Sequence, residues 1–100
     1  MARSGDIEAG FQDRLVKELK ERFPGCIVSK QSYPQGFPDL LILYKNKWAT
    51  LECKKKEGSK HQPNQDAWVV ITNNMSFSRF IYPENREEVL DELSRFFAAT

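Results

Sequence analysis

Two apolar runs, "PDLLILY" over 38–44 and "KWATLECKK" over 47–55, are separated only by Lys45 and Asn46. A two-residue gap between β-rich runs leaves the chain one economical solution, an antiparallel hairpin. That turn also sets the register. Tyr44 opposes Lys47, and counting outward brings Asp39 opposite Glu52. Because side chains alternate along a strand, Asp39, Glu52 and Lys54 share one face while Cys53 turns to the other. Like charges opposed across a ladder repel. A sequence that specifies such a pair calls for a cation between them: Lys54 is one, and a hard divalent metal suits two carboxylates better. The competing reading is a structural ion-pair cluster at a sheet edge.

The rest of the chain supplies elements to pack against that hairpin. Ile7, Phe11, Leu15, Leu19 and Phe23 recur at helical spacing and predict an amphipathic helix over 6–22, stopped by Pro24 and Gly25. "CIVSKQSY" reads as a short strand. The apolar run in "NQDAWVVITNN" fits strand or helix, and Pro63 near its start together with the need for a crossover favours a helix. "FSRFIY" predicts a strand, and "ENREEVLDELSRFF" a helix with Val89, Leu90, Leu93, Phe96 and Phe97 on one face. The expected order is αβββαβα: an α/β fold with a mixed central sheet flanked by helices, in a single domain spanning 1–100.

With 100 residues, 40% of them hydrophobic and 29% charged, the composition is that of a globular domain and not of a disordered tail. "MARSGDIEAG" has no apolar core of a signal peptide, and no run reaches the roughly 20 apolar residues of a membrane span, so the expectation is a cytoplasmic protein without a membrane partner. Cys26 and Cys53 sit in strand-like contexts and read as reduced core residues. His61, the single histidine, has no partner at zinc-ligand spacing. The formal net charge is +1, but its distribution is uneven. Lys45, Lys47, Lys54, Lys55, Lys56 and Lys60 crowd one stretch, a candidate phosphate-binding surface, whereas Glu84, Glu87, Glu88, Asp91 and Glu92 make the C-terminal part acidic.

"PDLLIL" followed by "LECKK" resembles the metal-binding core of the PD-(D/E)xK nuclease superfamily, and the expected element order is similar to its restriction-endonuclease-like αβββαβ core with an extra C-terminal helix. Within it the chain looks most like small phage-type VRR-NUC and Holliday-junction-resolvase (endonuclease I-like) nucleases. Glu8, in "RSGDIEAGFQDRL", stands where such resolvases place an additional acid, and Gln65, in "HQPNQDAW", where VRR-NUC-like proteins carry a glutamine. No Val-Arg-Arg element occurs around 28–33, a departure from the VRR-NUC pattern. The resemblance implies a Mg²⁺-dependent DNA endonuclease, with Mn²⁺ substituting, that leaves 5′-phosphate and 3′-hydroxyl ends. Asp39, Glu52, Glu8 and the carbonyl of Cys53 are the implied metal ligands, Lys54 and Gln65 the implied partners of water and transition state, and the phage or bacterial host cytoplasm the implied compartment.

Branched DNA is the implied substrate, with Lys55, Lys56, Lys60 and Lys30 as phosphate contacts. A nuclease acting on nicked, flapped or duplex DNA, and a fold relative that only binds nucleic acid, are the alternatives. Clustered carboxylates argue against the last, because a pure binder gains nothing from groups that repel phosphate. Resolving a junction takes paired cuts and therefore implies a homodimer, for which Trp48, Phe77, Phe96 and Phe97 are interface candidates if the core does not claim them. No helix presents Arg, Asn and Gln at the spacing of major-groove readout, so reading of duplex sequence is not expected.

Overall fold

A computed structural model describes the backbone of residues 4–99 and the side chains of residues 10–99. The elements are α1 (Ser4–Arg22), β1 (Ile27–Lys30), β2 (Leu40–Tyr44), β3 (Lys47–Cys53), α2 (Pro63–Met75), β4 (Ser78–Ile81), a single 3₁₀ turn (Pro83–Asn85) and α3 (Arg86–Ala98). This is the αβββαβα order read from the sequence, with α1 beginning two residues earlier than expected. The ambiguous apolar run after Pro63 is helical. Proline starts it because the first helical amides have no intrahelical acceptor, so the missing N–H costs nothing there.

The four strands form one mixed sheet in the order β1-β2-β3-β4, antiparallel except for the β3–β4 pair. The hairpin turns at Lys45 and Asn46, with Lys45 at φ 58° as primed turns require. Tyr44 pairs with Lys47 and Leu40 with Leu51, the register set by the two-residue loop. One sheet face therefore carries Leu40, Ile42, Ala49, Leu51 and Cys53, all buried in one core with Phe11, Leu15 and Leu19 of α1 and Val89, Leu90 and Leu93 of α3. Phe23, Tyr44 and Phe97 close the core with ring contacts at 5.1–5.5 Å.

The opposite face meets α2 along a polar seam. Thr50 Oγ1 lies 3.1 Å from Thr72 Oγ1 and 2.7 Å from Ser78 Oγ, three buried hydroxyls that satisfy one another. Of the aromatic residues considered for an interface, Phe77 and Phe97 are buried, Phe96 packs against the core and Trp48 is half-buried. The core claims the three phenylalanines. Both cysteines are free thiols, Cys53 buried and Cys26 half-buried, with burial pushing the Cys26 thiol up from its ordinary value. Among the described residues no helix is long and apolar enough to cross a membrane.

The turn leading into β2 is pinned to α2. Gly36 has φ +83°, and a Cβ there would stand 2.4 Å from the Cβ of Asn64. Gly25 shares the positive φ, at +92°, but has open space around it. Gly36→Ala is expected to lower stability by about 2 to 3 kcal/mol, from strained backbone plus a forced shift of α2, and Gly25→Ala by only about 1 kcal/mol. Thermal melting of the two variants checks the order; equal losses would mean that the turn is not packed on α2.

Candidate active site

The end of β3 carries Glu52 and, one step beyond the strand, Lys54. They point to the α2 side of the sheet. Glu52 is 2% exposed and Lys54 7% exposed, a depth at which neither residue type sits without partners. Asp39 immediately precedes β2, and the register places it opposite Glu52. Its carboxylate Oδ2 accepts the backbone N–H of Cys53 at 3.0 Å, which ties the entrance of β2 to the exit of β3. The N–H of Lys54 donates to the carbonyl of Ile81 at 2.8 Å, so β4 holds the other side of the same segment.

Gln65, in the first turn of α2, joins these groups. Its Oε1 accepts from Lys54 Nζ at 2.6 Å and from the backbone N–H of Gln62 at 2.9 Å, and its Nε2 donates to Glu52 Oε2 at 2.9 Å. The amide orientation follows from chemistry: an ammonium and a backbone amide can only donate, and a carboxylate oxygen needs a donor. One side chain thus caps α2, orients the lysine and holds one oxygen of the glutamate. Lys54 Nζ also donates to the carbonyl of Lys60 at 3.2 Å and stands 4.0 Å from Glu52 Oε2. The second oxygen of Glu52, Oε1, is buried and receives no N–H or hydroxyl among the described residues; the Glu52 carboxyl instead meets that of Asp39, with which it can share a proton.

Burial is the largest reason that Glu52 is pushed up to about 8 from its ordinary 4.5, followed by the negative charge of Asp39; the Lys54 ammonium pulls the other way without cancelling them. Near neutral pH the site therefore holds a proton on Glu52 unless a cation displaces it. Apart from Asp39 and Glu52 the described residues bring no further acid to this place, and among them no group of three or more His, Cys, Asp and Glu is assembled. Glu8 lies in α1, and its side chain falls outside the described residues.

The remaining predicted residues divide. Lys55, Lys56 and Lys60 are exposed on the loop that leaves β3 and leads to α2, flanking the buried cluster. Lys30 is not brought to it: Lys30 pairs with Leu40 and so belongs to the α1 side of the sheet, where Nζ bonds Asp13 Oδ1 at 2.9 Å. The lysine-rich stretch is also not one surface. Lys45 and Lys47 lie at the hairpin tip, a strand length away, and Lys47 Nζ caps the C-terminal end of α3 through the carbonyls of Phe96 and Ala99. Much of the C-terminal acidity is matched internally, Asp91 by Arg22 and Glu92 by Arg79. His61, dismissed as a zinc ligand, is placed beside the cluster, with Nδ1 2.8 Å from Asp66 Oδ1 and its ring stacked 4.0 Å from that of Phe80, the β4 residue that pairs with Glu52. A lone histidine in a loop gave no sequence signal for that position.

Comparison of the chain with protein-family models, curated proteins and solved structures finds no match.

The Glu52 environment fixes a pH dependence. A carboxyl whose folded pKa lies above its unfolded value leaves the folded state holding more protons than the unfolded state between 4.5 and about 8. Its contribution to stability is full below 4.5 and falls as pH rises through that window, by on the order of 4 kcal/mol. Glu52→Gln, which keeps an acceptor for Gln65 and offers Asp39 a donor, is expected to match the parent near pH 4.5 and to melt about 15 °C or more above it at pH 8 in EDTA. A constant difference across that range would show that Glu52 is ionised throughout.

Proposed function

We propose that the protein is a divalent-metal-dependent nuclease whose reactive centre is Asp39, Glu52, Lys54 and Gln65. The observation that carries this reading is a buried glutamate set against the Asp39 carboxylate, with burial and that neighbouring charge both pushing its pKa up. Two carboxyls at that depth share a proton or a cation, and a divalent ion is the cation that two carboxylates hold best. The donor set also fits. Mg²⁺ is held by one or two carboxylates and keeps several waters, so Asp39 and Glu52 with the Cys53 carbonyl suffice without a third acid.

When bound, such an ion supplies a lowered pKa for an attacking water and polarisation of a phosphoryl oxygen. The chain's own groups do the rest. Lys54, held between Gln65 and the Lys60 carbonyl, presents an ammonium fixed in direction, suited to a water or to the charge that grows on the phosphoryl oxygens. Gln65 keeps that ammonium beside Glu52 and not spread into solvent. Asp39, bonded to the Cys53 amide, keeps the two strand ends together. Exposed Lys55, Lys56 and Lys60 provide sequence-independent attraction for a DNA backbone. Branched DNA as substrate, and the homodimer needed for paired cuts, rest on the sequence resemblance alone.

Asp39→Asn separates a metal centre from a structural ion pair. The variant keeps an oxygen for the Cys53 amide and loses the repulsion on Glu52, so it is expected to melt at or above the parent in EDTA at pH 8 while losing Mg²⁺-dependent cleavage by at least about 100-fold, or roughly 2.7 kcal/mol of barrier. Only the parent should gain from Mg²⁺, by about 1.4 kcal/mol at ten times Kd. A destabilised variant that still cleaves would end this reading.

The loop lysines are tested by salt. Lys56→Ala and Lys60→Ala should each weaken DNA binding for every sequence and lower the slope of log affinity against log salt by about 0.9. An unchanged slope in both would place these side chains in solvent and off the DNA.

A further inference from the structure

A cleft of about 290 Å³, lined by Gln35, Gly36, Gln62, Pro63, Asn64 and Gln65, adjoins the candidate active site and shares Gln65 with it. Both of its walls run into the candidate active site. One is the turn that leads directly to Asp39; the other is the first turn of α2, where Gln65 reaches Lys54 and Glu52. The walls are locked together by the close approach of Gly36 to Asn64 and by the edge-on contact of Phe37 with Trp68 at 5.2 Å. The cleft is therefore formed before anything binds.

Its chemistry is selective. Among the described residues none that lines it carries a charge, whereas Gln35, Gln62 and Asn64 bring carboxamides; that of Gln65 is held by Lys54, Gln62 and Glu52. No cationic side chain and no carboxylate of the described residues lines the cleft, so its side chains supply neither the counter-charge a phosphate draws on nor the ligands of a metal. Carboxamides present a donor and an acceptor side by side, the pattern on the edges of nucleobases. The volume sits at the small end of ligand pockets, roughly 300 Å³, room for one base. The same turn leaves Tyr33 84% exposed, an aromatic face of the kind on which unpaired bases stack.

We propose that this cleft receives one unpaired base next to the phosphate that is cleaved, so that the enzyme acts where a strand leaves a duplex. A base inside a duplex stack cannot enter the cleft without being extruded. The inference rests on the nuclease reading for the neighbouring phosphate, and it narrows the substrate to DNA with a single-stranded arm, flap or open junction.

Forked DNA with an abasic residue at each of the first unpaired positions in turn tests it, with Ca²⁺ in place of Mg²⁺ and affinity read by anisotropy. For the parent, one position should cost about tenfold in Kd when its base is removed. Gln35→Ala/Asn64→Ala, which changes exposed side chains, should bind intact and abasic forks alike, while Lys56→Ala binds both more weakly and keeps the ratio. Should the double variant melt early, Gln35→Ala alone repeats the measurement. A parent indifferent to base removal at every position, or a variant that keeps the tenfold ratio, overturns the cleft assignment. The two readings fail separately: base discrimination without Mg²⁺-dependent cleavage of any DNA overturns the nuclease reading alone, cleavage without discrimination overturns the cleft alone, and no binding to any DNA overturns both.

Discussion

The pairing of β2 with β3 in the register set by Lys45 and Asn46 is the constraint on which the rest depends. With a side-chain period of two, a slip by one residue would turn either Leu40 and Ile42 or Ala49 and Leu51 out of the core, in the second case bringing Glu52 into it. The same pairing that builds the apolar layer under α1 and α3 therefore fixes the polar layer under α2. Core and candidate site are two faces of one hairpin, and neither can be altered in register without the other.

The two faces are stabilised differently. Beneath α1 and α3 the contacts are aliphatic and aromatic, and their strength scales with apolar area removed from water. Beneath α2 they are hydrogen bonds: Thr50 with Thr72 and Ser78, and Gln65 with Lys54 and Glu52. In such a low-dielectric seam satisfied groups are rigidly directed and an unsatisfied one is costly. Glu52 is the point of stress in that seam: Gln65 holds one of its oxygens, and the Asp39 carboxyl beside it raises its pKa, so the pair shares a proton or a cation.

Charge near the site is sorted in the same manner. Lysines near one another in sequence are separated by the length of β3, so that Lys47 at the hairpin tip secures the end of α3 while Lys55, Lys56 and Lys60 remain free of the core at the site's edge. The cluster's Lys54 is the exception, drawn under α2 by Gln65 and the Lys60 carbonyl. An ammonium held in that manner keeps its direction, which a solvated lysine does not.

Much of this was legible in the sequence. The order of elements followed from periodicity and from prolines and glycines that end or begin them, and the shared face of Asp39, Glu52 and Lys54 followed from a two-residue turn and alternation, both local rules. The side chain of Glu8 lies outside what the structure describes, so its part in the site stays with the resemblance. What only the tertiary structure decided were distances between segments that no local rule relates. The docking of α2 on the sheet made Gln65 a three-way hydrogen-bond partner, set His61 against Phe80 and opened an amide-lined cleft beside Asp39, while the pairing of β1 with β2 put Lys30 on the far face. Local sequence specifies which way a side chain leaves its own strand or helix; the packing of one element on another decides what it meets, because that depends on the summed fit of many residues and not on spacing along the chain.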